Sequence, residues 1–147
     1  MITTQKLLKI LLVEDNPDDV LLIKIALEKE GLKNEMFIAR DGEQAVDFLN
    51  KEGEFTKAPT PELIILDLNL PKKDGLSVLK IIKANPELKV LPVIIMSTSA
   101  NPDDIQKCYK EYANCYIRKP SDIQEFFKII RNLKSYWLDT VILPSLD

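Results

Sequence analysis

The chain contains no histidine and only two cysteines, Cys108 and Cys115. Without imidazole, and with so few thiols, a structural zinc site is nearly excluded, and so are Ser-His and Cys-His catalytic pairs. Any metal must therefore be held by oxygen. Two cysteines make no disulfide framework, so a reduced, cytoplasmic setting with two ordinary thiols is expected. No apolar run approaches the ~18 residues that would span a bilayer. The short apolar run near the N-terminus ends in acids rather than in the small residues of a cleavable signal. A basic excess is missing too: 20 Lys and Arg against 23 Asp and Glu leave a net charge of -3. That balance gives no electrostatic footprint for nucleic acid or for a membrane surface. Proteins or small ligands are the partners to expect.

What is present fits one domain. A chain of 147 residues, 46% of them hydrophobic, can bury one good core and leaves no room for a separate DNA-binding or catalytic module. Short apolar runs recur, each followed by a turn signal and a segment of helical periodicity. Ile10 to Val13 ends at Glu14-Asp15, and Asn16-Pro17 then opens a helix that should stop at Gly31. A second strand reads as Glu35 to Ala39, and the helix after Asp41-Gly42 should close at Gly53. "GEFTKAPTPE" reads as a surface loop. Leu63 to Leu66 forms a third strand, followed by a helix from Gly75 to Ala84. Val93 to Met96 is a fourth strand, and Asn101-Pro102-Asp103-Asp104 repeats the helix-start device of residues 16 to 19. The fourth helix carries a thin stripe of Ile105, Cys108, Tyr109 and Tyr112, so it should be the least firmly anchored. Cys115 to Arg118 is a fifth strand, and Ser121 starts a last helix. Five strand-then-helix repeats with continuous apolar strands imply an α/β fold with a parallel sheet and helices on both faces.

Ligands of such sheets bind beyond the carboxyl ends of the strands. Three acids fall there: Glu14 and Asp15 after the first strand and Asp67 after the third. Carboxylates sharing one crevice repel unless a cation compensates them, and an all-oxygen set points to Mg²⁺. At other strand ends lie the hydroxyls of Ser97, Thr98 and Ser99 and the ammonium of Lys119. A carboxylate nucleophile, a metal, a hydroxyl and a lysine together can receive and hold a phosphoryl group, with Asp67 as its acceptor. Singly, each piece has an ordinary reading as a cap or a turn. Their common edge is what makes them a site.

With these residues placed, the chain resembles a response-regulator receiver domain of two-component signalling. The likeness runs from Lys9 to about Leu133 and rests on "LVEDN", "LDLNLPKKDG", "IIMSTS" and "YIRKP". The resemblance implies a doubly wound, flavodoxin-like sheet in the order 2-1-3-4-5 with five helices. It further implies that Asp67 is phosphorylated by a histidine kinase, with Glu14, Asp15, Asp67 and the backbone carbonyl of Asn69 as Mg²⁺ ligands. Lys119 would bind the phosphoryl group, Ser97 and Tyr116 would be the switch pair, and Asn69 and Ser99 would tune its lifetime. A cis Lys119–Pro120 bond is also implied. On this reading residues 1–134 are the receiver domain and 135–147 an extension. That extension, "SYWLDTVILPSLD", and the long loop before the third strand are similar to the small stand-alone regulators encoded beside bacterial phytochromes. The extension is too apolar for a free tail: it either contributes to a homodimer with the fourth helix, fifth strand and fifth helix, or folds back over its own core. Two other classes compete. A phosphorylation-independent scaffold would have no need of every acid, hydroxyl and lysine. An aspartate-nucleophile phosphohydrolase of the haloacid dehalogenase type needs a second acid two residues after Asp67, where this chain has Asn69. Self-limited phosphoryl acceptance, rather than turnover of a free substrate, is the expectation.

Overall fold

The computed structural model describes residues 7–144 and 146. Five strands, β1 (Leu8–Val13), β2 (Asn34–Ala39), β3 (Leu63–Leu66), β4 (Val93–Ser97) and β5 (Cys115–Arg118), alternate with five helices, α1 (Pro17–Lys29), α2 (Gly42–Asn50), α3 (Gly75–Ala84), α4 (Pro102–Lys110) and α5 (Ile123–Leu133). All strand pairs are parallel, in the order β2-β1-β3-β4-β5. The expected doubly wound sheet is therefore present.

Period-two alternation splits the core in two. Ile10 and Leu12 of β1 and Leu63 and Ile65 of β3 pack with α1 and α5, whereas Leu11, Val13, Ile64 and Leu66 pack with α2, α3 and α4. Burial on both faces makes the central strands continuous apolar runs in sequence. Each fully buried side chain contributes about 1.5–3 kcal/mol. A one-residue slip would exchange the two faces, so the register is fixed and with it the place where each strand ends.

Both Asn-Pro-Asp-Asp segments begin helices. The Asn16 side chain accepts the N–H groups of Asp18 at 2.9 Å and Asp19 at 3.4 Å, and Asn101 accepts that of Asp103 at 2.9 Å. Other boundaries depart from expectation. α2 stops at Lys51, in the left-handed region at φ 57, because the Glu52 N–H reaches the Asp47 carbonyl at 2.9 Å. Gly53, expected to end that helix, instead opens a 3₁₀ turn over Gly53–Phe55. The turn delivers Phe55 onto Phe48, ring centroids 5.5 Å apart, so "GEFTKAPTPE" is partly core cover rather than a surface loop alone. α5 begins at Ile123, one turn signal later than Ser121, because Asp122 caps it through the Gln124 N–H at 3.3 Å. In α4 only Cys108 is fully buried and Tyr109 is exposed, while Tyr112, expected in the same stripe, lies beyond the helix end and is exposed. The expected stripe is reduced to one anchor. The Lys119–Pro120 bond is trans, not cis as the resemblance implied: no cis peptide occurs among the described residues. Trans is favoured by about 0.5–1 kcal/mol where nothing else selects the isomer.

The extension continues α5 as a π-helical segment, Lys134–Thr140, closed by the Val141 N–H to Tyr136 carbonyl bond at 2.9 Å. Trp137, Leu138 and Leu143 pack against the α1/α5 core, while Tyr136 and Ile142 face solvent, Ile142 at 95% exposure. So the segment folds back with one face and presents the other. Cys108 and Cys115 are free thiols. Burial raises the pKa of Cys115, partly countered by a hydrogen bond with Trp137.

Gly75 starts α3 directly behind Asp67. Its N–H donates to the Leu68 carbonyl at 2.9 Å, and a Cβ there would collide with the Asp67 carbonyl oxygen and the Leu68 Cα. Only the missing side chain lets the helix approach so closely. Gly75→Ala is expected to lower stability by about 1–3 kcal/mol through overpacking and to displace the loop carrying Asp67. Urea unfolding checks the first, and cation titration of the folded variant checks the second.

Candidate functional site

Each principal residue of the site is the last residue of a strand, as Ser97 is, or the first beyond one, as Glu14, Asp67 and Lys119 are, and the ladder places it. The Glu14 N–H donates to the Ala39 carbonyl at 2.9 Å, the Asp67 N–H to the Val13 carbonyl at 3.0 Å, and the Lys119 N–H to the Ser97 carbonyl at 2.7 Å. Because Val13 pairs with Leu66, Glu14 and Asp67 emerge side by side. Their backbones are pinned to neighbouring strands and their side chains enter one crevice.

There the Lys119 Nζ donates to three carboxylates: Glu14 Oε2 at 2.6 Å, Asp67 Oδ2 at 3.0 Å and Asp19 Oδ2 at 3.0 Å. The Lys119, Glu14 and Asp67 side chains are only 5%, 2% and 7% exposed. Burial alone would pull the lysine pKa down, but the bond to Glu14 and the charges of Asp67 and Glu14 outweigh it and hold the ammonium charged. Glu14 goes the other way. Its burial, with the Asp67 charge added, raises its pKa from 4.5 to about 7 despite the bond from Lys119. One ammonium does not compensate the acids gathered around it.

The donor set suits a hard divalent cation. One carboxylate oxygen from each of Glu14, Asp15 and Asp67 lies within 4.8 Å of the others, with Asp15 exposed at the mouth. Oxygen ligands with room for water and a phosphate are what Mg²⁺ or Mn²⁺ takes, and the raised Glu14 pKa marks a charge that such a cation would neutralise. Asp67 Oδ1 accepts the Asn69 N–H at 3.1 Å, and Glu14 Oε1 accepts the Asn16 N–H at 3.1 Å. These bonds orient both carboxylates.

The hydroxyl side of the crevice is a second network. Ser97 is fully buried, and its Oγ accepts the Ser99 N–H at 3.3 Å. Ser99 Oγ donates to Asp104 Oδ2 at 2.6 Å, and the Ser99 carbonyl accepts the Tyr116 hydroxyl at 2.8 Å. Tyr116 is therefore turned inward, its ring against the α2/α3/α4 core. Burial raises its pKa, offset in part by the bonds with Ser99 and Ser97. Thr98 is exposed and takes no part.

All the expected residues, Glu14, Asp15, Asp67, Asn69, Ser97, Ser99, Tyr116 and Lys119, converge on this edge. Two acids were missed. Asp19 and Asp104 both read locally as first-turn helix residues, yet each is the second aspartate of an Asn-Pro-Asp-Asp segment and accepts a hydrogen bond from the site. The repeat itself was the available signal.

The crevice of buried acids and one lysine thus lies at the carboxyl edge of a doubly wound parallel sheet. Residues 10–131 match the response regulator receiver domain family, and the chain belongs to it. Members of this family accept a phosphoryl group and lose it again rather than turning over a free substrate. Among relatives, the response regulator Rcp1 of Synechocystis sp. is 46% identical over 136 residues, covering 92% of each chain. The Mn²⁺-bound form of response regulator Rcp1 superposes with a TM-score of 0.90 at 45% identity, covering 93% of this chain and 99% of that one. The phosphorylated cyanobacterial phytochrome response regulator RcpA gives 0.92 at 46% identity, covering 95% and 100%. No helix among the described residues is long and apolar enough to cross a membrane.

The Glu14 shift sets a pH dependence. Without a cation the folded chain keeps a proton that the unfolded chain loses near pH 4.5, so stability falls as pH rises from there to about 7. A cation binds the deprotonated carboxylate, so Mn²⁺ affinity should climb with pH up to neutrality and level off above it. Calorimetric titration in buffers of different ionisation enthalpy checks this, with proton release expected below pH 7 and none above.

Proposed function

We propose that the chain is a response regulator whose phosphoacceptor is Asp67 and whose cation is Mg²⁺. The observation that carries this reading is the buried Asp67 carboxylate, 3.0 Å from the Lys119 ammonium and next to the Glu14 and Asp15 carboxylates. Glu14, Asp15 and Asp67, with the backbone carbonyl of Asn69, would hold the cation. When bound, it neutralises charge on the transferring phosphoryl oxygens. The donor is a phosphohistidine of a partner kinase, since this chain has no histidine. A carboxylate oxygen of Asp67 attacks phosphorus, and the P–N bond to the kinase breaks. The electron pair stays on the departing imidazole. Lys119 leaves its carboxylate contacts for a phosphoryl oxygen, and Ser97 donates its hydroxyl to another.

The consequences run along the second network. Drawing Ser97 toward the phosphoryl group pulls the Ser99 N–H that rests on its Oγ, and with it the carbonyl that holds Tyr116. α4, whose one fully buried side chain is Cys108 and whose Asp104 is bonded to Ser99, is the element that can follow. The surface of α4, β5 and α5 thereby changes affinity for a partner or a second copy. Asn69 and Ser99 flank the route of the attacking water and set the lifetime. Similarity to RcpA, a cyanobacterial phytochrome response regulator, supports a phytochrome-type sensor kinase as the partner.

Incubation with Mg²⁺ and acetyl phosphate should add one phosphoryl group by intact mass, absent in Asp67→Asn. An adduct retained in that variant would overturn the assignment.

The exposed Tyr136 and Ile142 of the extension favour a homodimer through this face. Truncation would also strip Trp137 and Leu138 from the core, so surface changes are the better probe. Tyr136→Glu with Ile142→Glu should convert dimer to monomer by light scattering while the far-UV circular dichroism spectrum stays that of the unmodified chain. An unchanged mass would mean the dimer lies elsewhere.

A further inference from the structure

Asp19 is the one member of the Lys119 cluster outside the strand ends. It sits in the first turn of α1, where its N–H caps on Asn16 while its side chain turns into the crevice and accepts from Lys119 Nζ at 3.0 Å. Its neighbour Asp18 has the same charge and the same capping bond but is exposed and makes no contact with Lys119. The Asp19 and Asp67 oxygens share one nitrogen, so they lie no further apart than those two bonds laid end to end. At that range, behind a partly desolvated surface, the charge of Asp19 acts on whatever occupies the site.

From this geometry we infer that Asp19 is a positioning residue for phosphoryl transfer, an inference that rests on Asp67 being the acceptor. It holds Lys119 in the unphosphorylated state and sets the net charge that cation and phosphoryl group meet. Its carboxylate attracts the cation and repels the phosphoryl group, and it competes with the phosphoryl oxygen for the Lys119 ammonium. Neutralising it therefore moves three quantities, and not in the same direction. Cation binding weakens, while transfer at saturating cation speeds up and the phosphorylated form lasts longer. A residue that merely supported the fold would worsen all three.

The test compares Asp19→Asn with Asp18→Asn, which makes the same charge change in the same helix turn without touching Lys119. In the full chain, Mn²⁺ affinity of Asp19→Asn should fall about three- to tenfold. Its phosphorylation rate with acetyl phosphate at saturating Mg²⁺ should rise by a similar factor, and its phosphoryl half-life should lengthen. Asp18→Asn should match the unmodified chain. Asp19→Asn indistinguishable from Asp18→Asn, or impaired in all three quantities, would overturn the inference. Failure of Asp67 as acceptor would show separately, as an adduct surviving in Asp67→Asn.

Discussion

The Lys119 ammonium, shared among Glu14, Asp19 and Asp67, is the interaction on which the rest depends. It joins the end of the first strand, the first turn of the first helix and the end of the third strand to a residue more than 100 positions from the first of them. Buried charge is stable only where it is paired, and removing one partner from such a cluster costs on the order of 3–5 kcal/mol. The cluster therefore constrains strand register, helix approach and site geometry at once. It also leaves an excess of negative charge that a divalent cation can relieve.

The sheet serves this cluster as a rigid base. Two apolar cores clamp β1 and β3 from both faces, so their carboxyl ends move little. The other side of the crevice is less clamped, since α4 has a single fully buried side chain. Lys83 tightens the opposite edge, where its Nζ donates to the Lys89 and Leu91 carbonyls at 3.1 and 2.9 Å and to Asn114 Oδ1 at 3.2 Å. Burial lowers the pKa of that lysine. In the proposed switch the clamped acid side would hold the reacting groups and the hydroxyl side would report their state.

Much of this was legible in one dimension. Apolar runs ended by acids, the two Asn-Pro caps and the Lys119-Pro120 turn located all five strands and five helices, with β3, α3 and β5 placed at their observed ends. Other boundaries differed. α2 ends at Lys51 because its last carbonyls find N–H groups there, and Phe55 turns inward because Phe48 offers it a surface. The extension was readable as apolar but not as two-faced, since that division depends on how α5 continues into π-helical turns over the core.

The two Asn-Pro-Asp-Asp segments divide the two kinds of information. The sequence by itself determined that each starts a helix, because proline geometry and an asparagine cap are local properties. Only the tertiary structure decided that the second aspartate of one meets Lys119 while its counterpart in the other meets Ser99. Helix geometry turns both toward the carboxyl edge of the sheet. What each finds there depends on the strand brought beside it, and parallel strand order is a long-range outcome of burying two faces at once.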